Sequence, residues 1–322
     1  MADWRASSPV TVAQHRAEML ARVRAYFAEQ QVLAVDTPAL SKFANTDPNI
    51  DSFSTQSATG NQYFLHTSPE FCMKRLLADG YPDIYSICRV FRDGEIGHYH
   101  LPEFTMLEWY RLDFELGDII SDTTALIAAC IGHPSLHEDA VVVDYRDAFR
   151  DIANIDIFNA TIDDLAISVS ADDALRNSVG DDHRAWLDLI LSTVIAPDFN
   201  PDQLTVVQHY PASQAALARI CPGDDRFADR FEVFHGVTEL ANGYVELTNA
   251  DEQRRRFNQE LNMRENTGQP LLPPDEQLLA ALDNGLPDCA GVAVGLERLQ
   301  MILMQADNID NVVTFSPRTR HE

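Results

Sequence analysis

Residues 85–110 read YSICRVFRDGEIGHYHLPEFTMLEWY, and the way this stretch folds decides how the rest of the chain is read. Its opening part, with Ile84, Tyr85, Ile87, Val90 and Phe91, has the β-branched and aromatic content of a buried strand. Arg92 to Pro102 carries two glycines, a proline, two histidines and charges of both signs, which predicts an ordered loop. The apolar run resumes from Phe104 to Tyr110, so the chain is expected to return as a second strand beside the first. An arginine at the mouth of such a loop and a phenylalanine at its exit suit a nucleotide. The guanidinium pairs with phosphate and the aromatic face stacks on a base. A plain hairpin with a long turn has the same strand pattern.

Outward from this stretch, 322 residues at 45% hydrophobic composition can bury a substantial core, and no apolar run is long enough to span a membrane. The opening residues, MADWRASSPV, lack the basic-then-apolar layout of a signal peptide. Cys72, Cys88, Cys130, Cys221 and Cys289 are scattered without metal-type pair spacing, so reduced thiols in a cytoplasmic protein are expected. Acidic residues number 50 against 24 basic ones, a net charge of −26, and Lys42 and Lys74 are the two lysines. Such a chain repels a polyanion, and no basic stripe marks it as a nucleic-acid binder.

Met19, Leu20, Val23, Tyr26 and Phe27 recur at helical spacing, predicting an amphipathic helix over 11–30 that leads into a strand at 32–35 ended by Pro38. Residues 41–62 read as a loop or short strands. A strand at Tyr63 to His66 runs into a helix, with Ser68 suited to cap it and Pro69 to its first position. A helix is expected over 116–131, then an acidic, mostly helical insertion over 133–204 with helices at 144–152, 161–169 and 181–195. The segment QHYPASQA (208–215) follows a short strand. Strands at 230–234 and 237–248 carry Glu232, Glu239, Asn242 and Glu246; a charged helix at 249–267 follows. A strand, a helix and a last strand fill 291–315. With no repeats or linkers, one domain spanning 1–322 is the economical reading.

Phe91-Arg92 followed by His100-x-Pro102-Glu103-Phe104 resembles motif 2 of the class II aminoacyl-tRNA synthetases, in the lysyl/aspartyl/asparaginyl branch. Val35-Asp36-Thr37-Pro38 after a long helix resembles motif 1, which builds the dimer interface in that family. Gly291 to Arg298, GVAVGLER, resembles motif 3, a strand entering a helix. The three occur in the family's order and spacing and cover nearly the whole chain. The resemblance implies an α+β fold, an antiparallel six- or seven-stranded sheet flanked by helices. It also implies a homodimer that uses ATP and Mg²⁺. It puts Arg92 on the α-phosphate and substrate carboxylate, Phe104 on adenine and Arg298 on the γ-phosphate. Asp93, Gly94, His100, Leu101, Glu239, Leu240 and Gly295 complete the ATP site, and Arg92, Arg298 and Glu239 are the catalytic set. Glu232 and Glu239, on adjoining strands, suit Mg²⁺, which takes hard oxygen ligands and bridges phosphates. An ionised carboxylate then attacks the α-phosphorus in line, needing positioning and charge stabilisation but no general base.

Ser68-Pro69-Glu70 resembles the family segment whose Glu meets the substrate amino group, and Asn242 would help fix that end. Glu108, Tyr110 and Glu246 resemble the lysyl pocket, where carboxylates take the ε-ammonium. Carboxylates enclosed together imply a cationic ligand; singly, Glu108 and Glu246 also suit solvated strand positions. Three departures stand out. Motif 1 begins already at Val35, where lysyl enzymes carry an anticodon-binding OB-fold upstream. Ala293 stands where they have glycine, and its methyl would narrow the α-amino subsite and favour an amine displaced by one carbon. Gly94 and Leu101 stand where the family has Glu and Asn, and Leu101 removes a polar side chain next to ATP. Together with Tyr210-Pro-Ala-Ser-Gln214, these features resemble the truncated lysyl branch that modifies elongation factor P. That implies activation of (R)-β-lysine as an adenylate, transfer to a lysine of elongation factor P, and no stable tRNA binding. Another small amino-acyl ligase, or a catalytically silent regulatory paralogue, would share many of these residues.

Overall fold

The computed structural model describes residues 4–317. Among the described residues eleven strands form: β1 (Leu33–Ala34), β2 (Leu40–Ser41), β3 (Ser54–Gln56), β4 (Gln62–Leu65), β5 (Ile84–Phe91), β6 (Glu103–Leu112), β7 (Val141–Asp144), β8 (Leu204–Pro211), β9 (Phe227–His235), β10 (Thr238–Val245) and β11 (Cys289–Gly295). The chain divides into two units. The first takes the described residues up to Phe114, Ala129–Gly132 and those from Leu247 onward; the second takes Glu115–Ala128 and His133–Glu246.

In the first unit the strand order is β1-β5-β6-β11, with β1 parallel to β5 and the other pairs antiparallel. The hairpin expected from residues 85–110 is there, in register from Ile84 opposite Tyr110 to Phe91 opposite Glu103. From Thr105 to Arg111 every residue of β6 is buried, so this strand is covered on both faces and reads as a continuous run. The helix Val10–Glu29 buries Val12, Met19, Val23 and Phe27. It seats on the hairpin through Phe27, stacked on Tyr85 at 4.4 Å and edge-on to Trp109 at 5.5 Å. A small sheet, β2-β4-β3, occupies the stretch read as loop or short strands.

In the second unit the order is β10-β9-β8-β7, with β7 parallel to β8. The acidic insertion is helical, as its composition predicts. Its α-helices are Ser135–Glu138, Tyr145–Ala148 (continued by a π-turn over Phe149–Ala153), Ile162–Ser168, Asp173–Val179 and His183–Ile190 (continued by a π-turn over Leu191–Ile195). Several of its acids cap helices. Thr161 and Asp164 form a reciprocal capping box, and Asp172 and Asp182 accept from the N–H groups of Leu175 and Ala185. The apolar faces close on Tyr145, Phe149, Trp186, Ile190 and Ile195, packed with Val207, Tyr210 and Phe234.

Three expectations change. The main strands number four in each unit, eight in place of six or seven, because β7 lies inside what reads as a helical insertion. The strand expected near residue 315 is absent among the described residues; the chain there makes a 3-10 turn, Ile309–Val312, capped by Asn308. Pro69 is the N-cap of the helix Glu70–Ala78 rather than its first residue, and Ser68 Oγ accepts from the Glu70 N–H at 2.9 Å. No described helix is long and apolar enough to cross a membrane.

Candidate active site

In the first unit the loop between β5 and β6 is pinned at its mouth. The Arg92 N–H donates to Pro102 O at 2.9 Å and the Asp93 N–H to Asp51 O at 2.8 Å. The Arg92 guanidinium lies 5.3 Å from the centre of the Phe104 ring. Its polar contacts are long, Nε to Thr67 O at 3.4 Å and Nη1 to Glu95 Oε1 at 3.5 Å, so a phosphate can replace them at small cost. Gly94 has φ +78°, the left-handed region, which explains a glycine here: a side chain would strain the turn. At the far end of the loop Arg298 Nη2 meets His100 Nε2 at 2.6 Å, and its Nε donates to Tyr99 O at 3.2 Å. Arg298 is held there by the helix Leu296–Met304, whose N-cap is Gly295. Leu101, by contrast, is turned into an apolar cluster with Met301, Ile309 and Val312. Its side chain serves the core, so the ATP contact expected of Leu101 could be made only by its main chain.

A second cluster of this unit surrounds Glu108. Ser68 Oγ donates to Oε2 at 2.7 Å and Tyr110 OH to Oε1 at 2.6 Å. Burial, then the nearby Glu70 charge, pushes the Glu108 carboxyl up to about 7. Glu70 itself accepts from Lys74 Nζ at 2.7 Å, and Lys74 is fully enclosed. In the β11–β6 register Ala293 stands directly opposite Glu108, and opposed residues of an antiparallel pair project to the same face. The departure from glycine therefore falls on the face that carries Glu108.

The second unit gathers Glu232, Glu239 and Asn242 on the β9–β10 hairpin. Asn242 stands opposite Glu232, and a bulge separates Glu239 from Ala241. Glu232 is held on both oxygens: Arg230 Nη2 at 2.6 Å and Asn242 Nδ2 at 3.2 Å on Oε1, Tyr210 OH at 2.6 Å on Oε2. Burial, then the charge of Glu239, pushes Glu232 up to about 7. The charge of Glu239 raises the proton affinity of Glu232, and two carboxyls so placed are a hard-oxygen, electron-rich pair, which fits Mg²⁺. Glu239 is the more exposed of the two, half-buried where Glu232 is buried. Leu240 is buried at the bulge and can offer a nucleotide only main-chain atoms. Glu246 lies just past β10, buried, at a bridge to Ala218.

Sequence reading missed three participants. Lys74 stands at i+4 from Glu70 on one helix, a spacing that favours an ion pair, and it is one of two lysines in the chain. Arg230 lies two residues from Glu232, on the same strand face. Its Nη1 also donates to Gln214 O at 2.7 Å, and its guanidinium sits 4.5 Å from the Tyr210 ring centre. Tyr210, read only as part of a segment, turns out to be the ligand that buries one Glu232 oxygen.

The family model described as tRNA synthetases class II (D, K and N) matches residues 1–320. Among similar proteins, one from Avibacterium paragallinarum is 39% identical over 98% of both chains and is named "Elongation factor P--(R)-beta-lysine ligase". Proteins of the same name from Edwardsiella ictaluri and Photorhabdus laumondii are 40% and 39% identical, again over 98% of both chains. On a match of this extent, the chain belongs to the class II tRNA synthetases of the D, K and N group.

Proposed function

We propose that this chain is an ATP-dependent ligase that activates (R)-β-lysine as an adenylate and passes the β-lysyl group to the ε-amino group of a lysine on elongation factor P. The observation that carries the reading is the Glu108 cluster. An enclosed carboxyl, already held by Ser68 and Tyr110 and pushed toward neutrality, gains most from a cationic amine, and Ala293 adds a methyl to that face. The names of relatives 39–40% identical along nearly their whole length support the same substrate and acceptor.

In this reading Arg92 and Arg298 neutralise the phosphates, and Phe104 stacks on adenine, with Asp93, Gly94, His100, Gly295 and the main chain of Leu101 around them; the main chain of Leu240 is a further ATP contact implied by the family resemblance. Mg²⁺ held by Glu239 with Glu232 would offset phosphate charge. The substrate carboxylate attacks the α-phosphorus and pyrophosphate leaves; Arg92 stabilises the charge that develops there. In the first unit Glu70, with Ser68 and Pro69, would meet the amino end and Glu108 with Tyr110 the other amine; for Asn242 and Glu246 of the second unit the family resemblance implies the same two roles in turn. In the second step the acceptor amine attacks the acyl carbon, the carbon–phosphate oxygen bond breaks, AMP leaves, and the amine proton passes to solvent. Residues 1–322 act as one catalytic domain in the cytoplasm, paired as a homodimer through the helix Val10–Glu29 and Val35–Pro38, without a stable tRNA complex.

ATP–pyrophosphate exchange tests the first step. Exchange that depends on β-lysine, exceeds that with α-lysine and is lost in Arg92→Ala is expected. Absence of exchange with either lysine would overturn the reading in favour of a silent paralogue.

A further inference from the structure

Three segments of the second unit meet at the end of β8. His209 sits at the point where the β8–β9 register slips, between Gln208 and Tyr210, and takes the left-handed conformation at φ +56°. A non-glycine residue held there calls for a reason in what its side chain does. Asp229 comes from β9. Cys221 comes from the preceding segment, which is laced onto β9 by the Cys221 N–H to Phe227 O and the Asp229 N–H to Arg219 O, each 2.9 Å. The His209, Cys221 and Asp229 ligand atoms all lie within 4.8 Å of one another.

We propose that His209, Cys221 and Asp229 form a binding site for one Zn²⁺ ion, with solvent in the fourth position. Nitrogen, thiolate and carboxylate ligands are those zinc takes, and a tetrahedral ion with bonds of about 2.0–2.3 Å needs donors about 3.3–3.8 Å apart. The present spread therefore has to contract by about 1.5 Å at most. A second observation points the same way. Asp144 Oδ1 contacts His209 Nδ1 at 2.8 Å, leaving Nε2 as the nitrogen for an ion. That arrangement, a carboxylate behind a histidine, is how metal-bound imidazoles are oriented and made more basic. Asp144 is itself fixed by Gln208 Nε2 at 3.0 Å.

Arg219 is the group that opposes a cation here. It pairs with Asp229 Oδ2 at 2.7 Å, but it is shared with Glu115 at 2.6 Å, and a carboxylate has a second oxygen to offer. Burial, then the hydrogen bond to Asp229, holds the Cys221 thiol up near 12 without metal. Binding therefore releases its proton to solvent as the sulfur–zinc bond forms. The ion would staple the Cys221 segment to β8 and β9 next to Tyr210, the residue that holds Glu232.

The experiment is a titration of the full chain, freed of metal by chelator, with Co²⁺ as the spectroscopic probe and then with Zn²⁺. One equivalent of Co²⁺ is expected to give a thiolate charge-transfer band in the near ultraviolet, removed by one equivalent of Zn²⁺. Cys221→Ser should abolish the band, and Asp144→Asn, which keeps all three ligands, should weaken Co²⁺ binding by roughly 10–100-fold. No thiolate band in the unmodified chain would overturn the proposal, as would a band that survives Cys221→Ser. If Cys221→Ser does not fold, unchanged affinity in Asp144→Asn overturns it equally.

Discussion

Glu108 costs the folded protein energy whenever it ionises without an ammonium beside it. Its carboxyl rises from 4.5 to about 7 on folding, so the associated stability is fully present below about 4.5 and is lost as pH rises through about 7. At about 1.4 kcal/mol per unit the loss is on the order of 3 kcal/mol. The ligand-free protein is therefore expected to melt at lower temperature at pH 8 than at pH 5, with β-lysine restoring more stability at the higher pH. Glu108→Gln should flatten part of that pH dependence while abolishing exchange; a melting temperature rising with pH would contradict the assignment. Ala293→Gly removes one methyl from the same face and should shift kcat/KM toward α-lysine by about tenfold, the scale of one methylene in a pocket. These residues were legible as chemical types at family spacing. Lys74 and Arg230 were not singled out: their spacings from Glu70 and Glu232 allow ion pairs, but which spaced charges burial brings together does not show in the sequence.

Among elements, the β5–β6 hairpin was the most legible, since strand composition, a loop rich in turn residues and a returning apolar run all agree. The strand β7 was not, for its Val141–Asp144 is short, pairs in parallel with a partner far along the chain, and is followed at once by helix. Leu101 shows the limit of motif reading: its place in the loop predicted contact with ATP, yet packing against Met301 and Val312 claims its side chain. The loop's turn at Gly94 gives a test, because Gly94→Ala at φ +78° should cost about 1 kcal/mol in chemical denaturation and raise the KM for ATP. On β9, Arg230→Ala breaks a buried ion pair and pushes Glu232 further toward its protonated form, and a loss of about 3 kcal/mol is expected in the same measurement.

For the molecule as a whole, the net charge of −26 was plain in the composition, and part of its local use appears in the helix caps of the insertion. So large an excess of one sign repels itself, and screening relieves that repulsion. The melting temperature is expected to rise between low salt and about 1 M NaCl, where the Debye length falls to about 3 Å; a fall would mean that attractive ion pairs dominate. The most direct test of the central claim is intact-mass spectrometry of elongation factor P incubated with this protein, ATP, Mg²⁺ and (R)-β-lysine. The predicted result is a single lysyl-sized gain, greater than with α-lysine and lost when Arg92 is replaced by alanine. An unchanged mass for elongation factor P, in a reaction where adenylate forms, would contradict it.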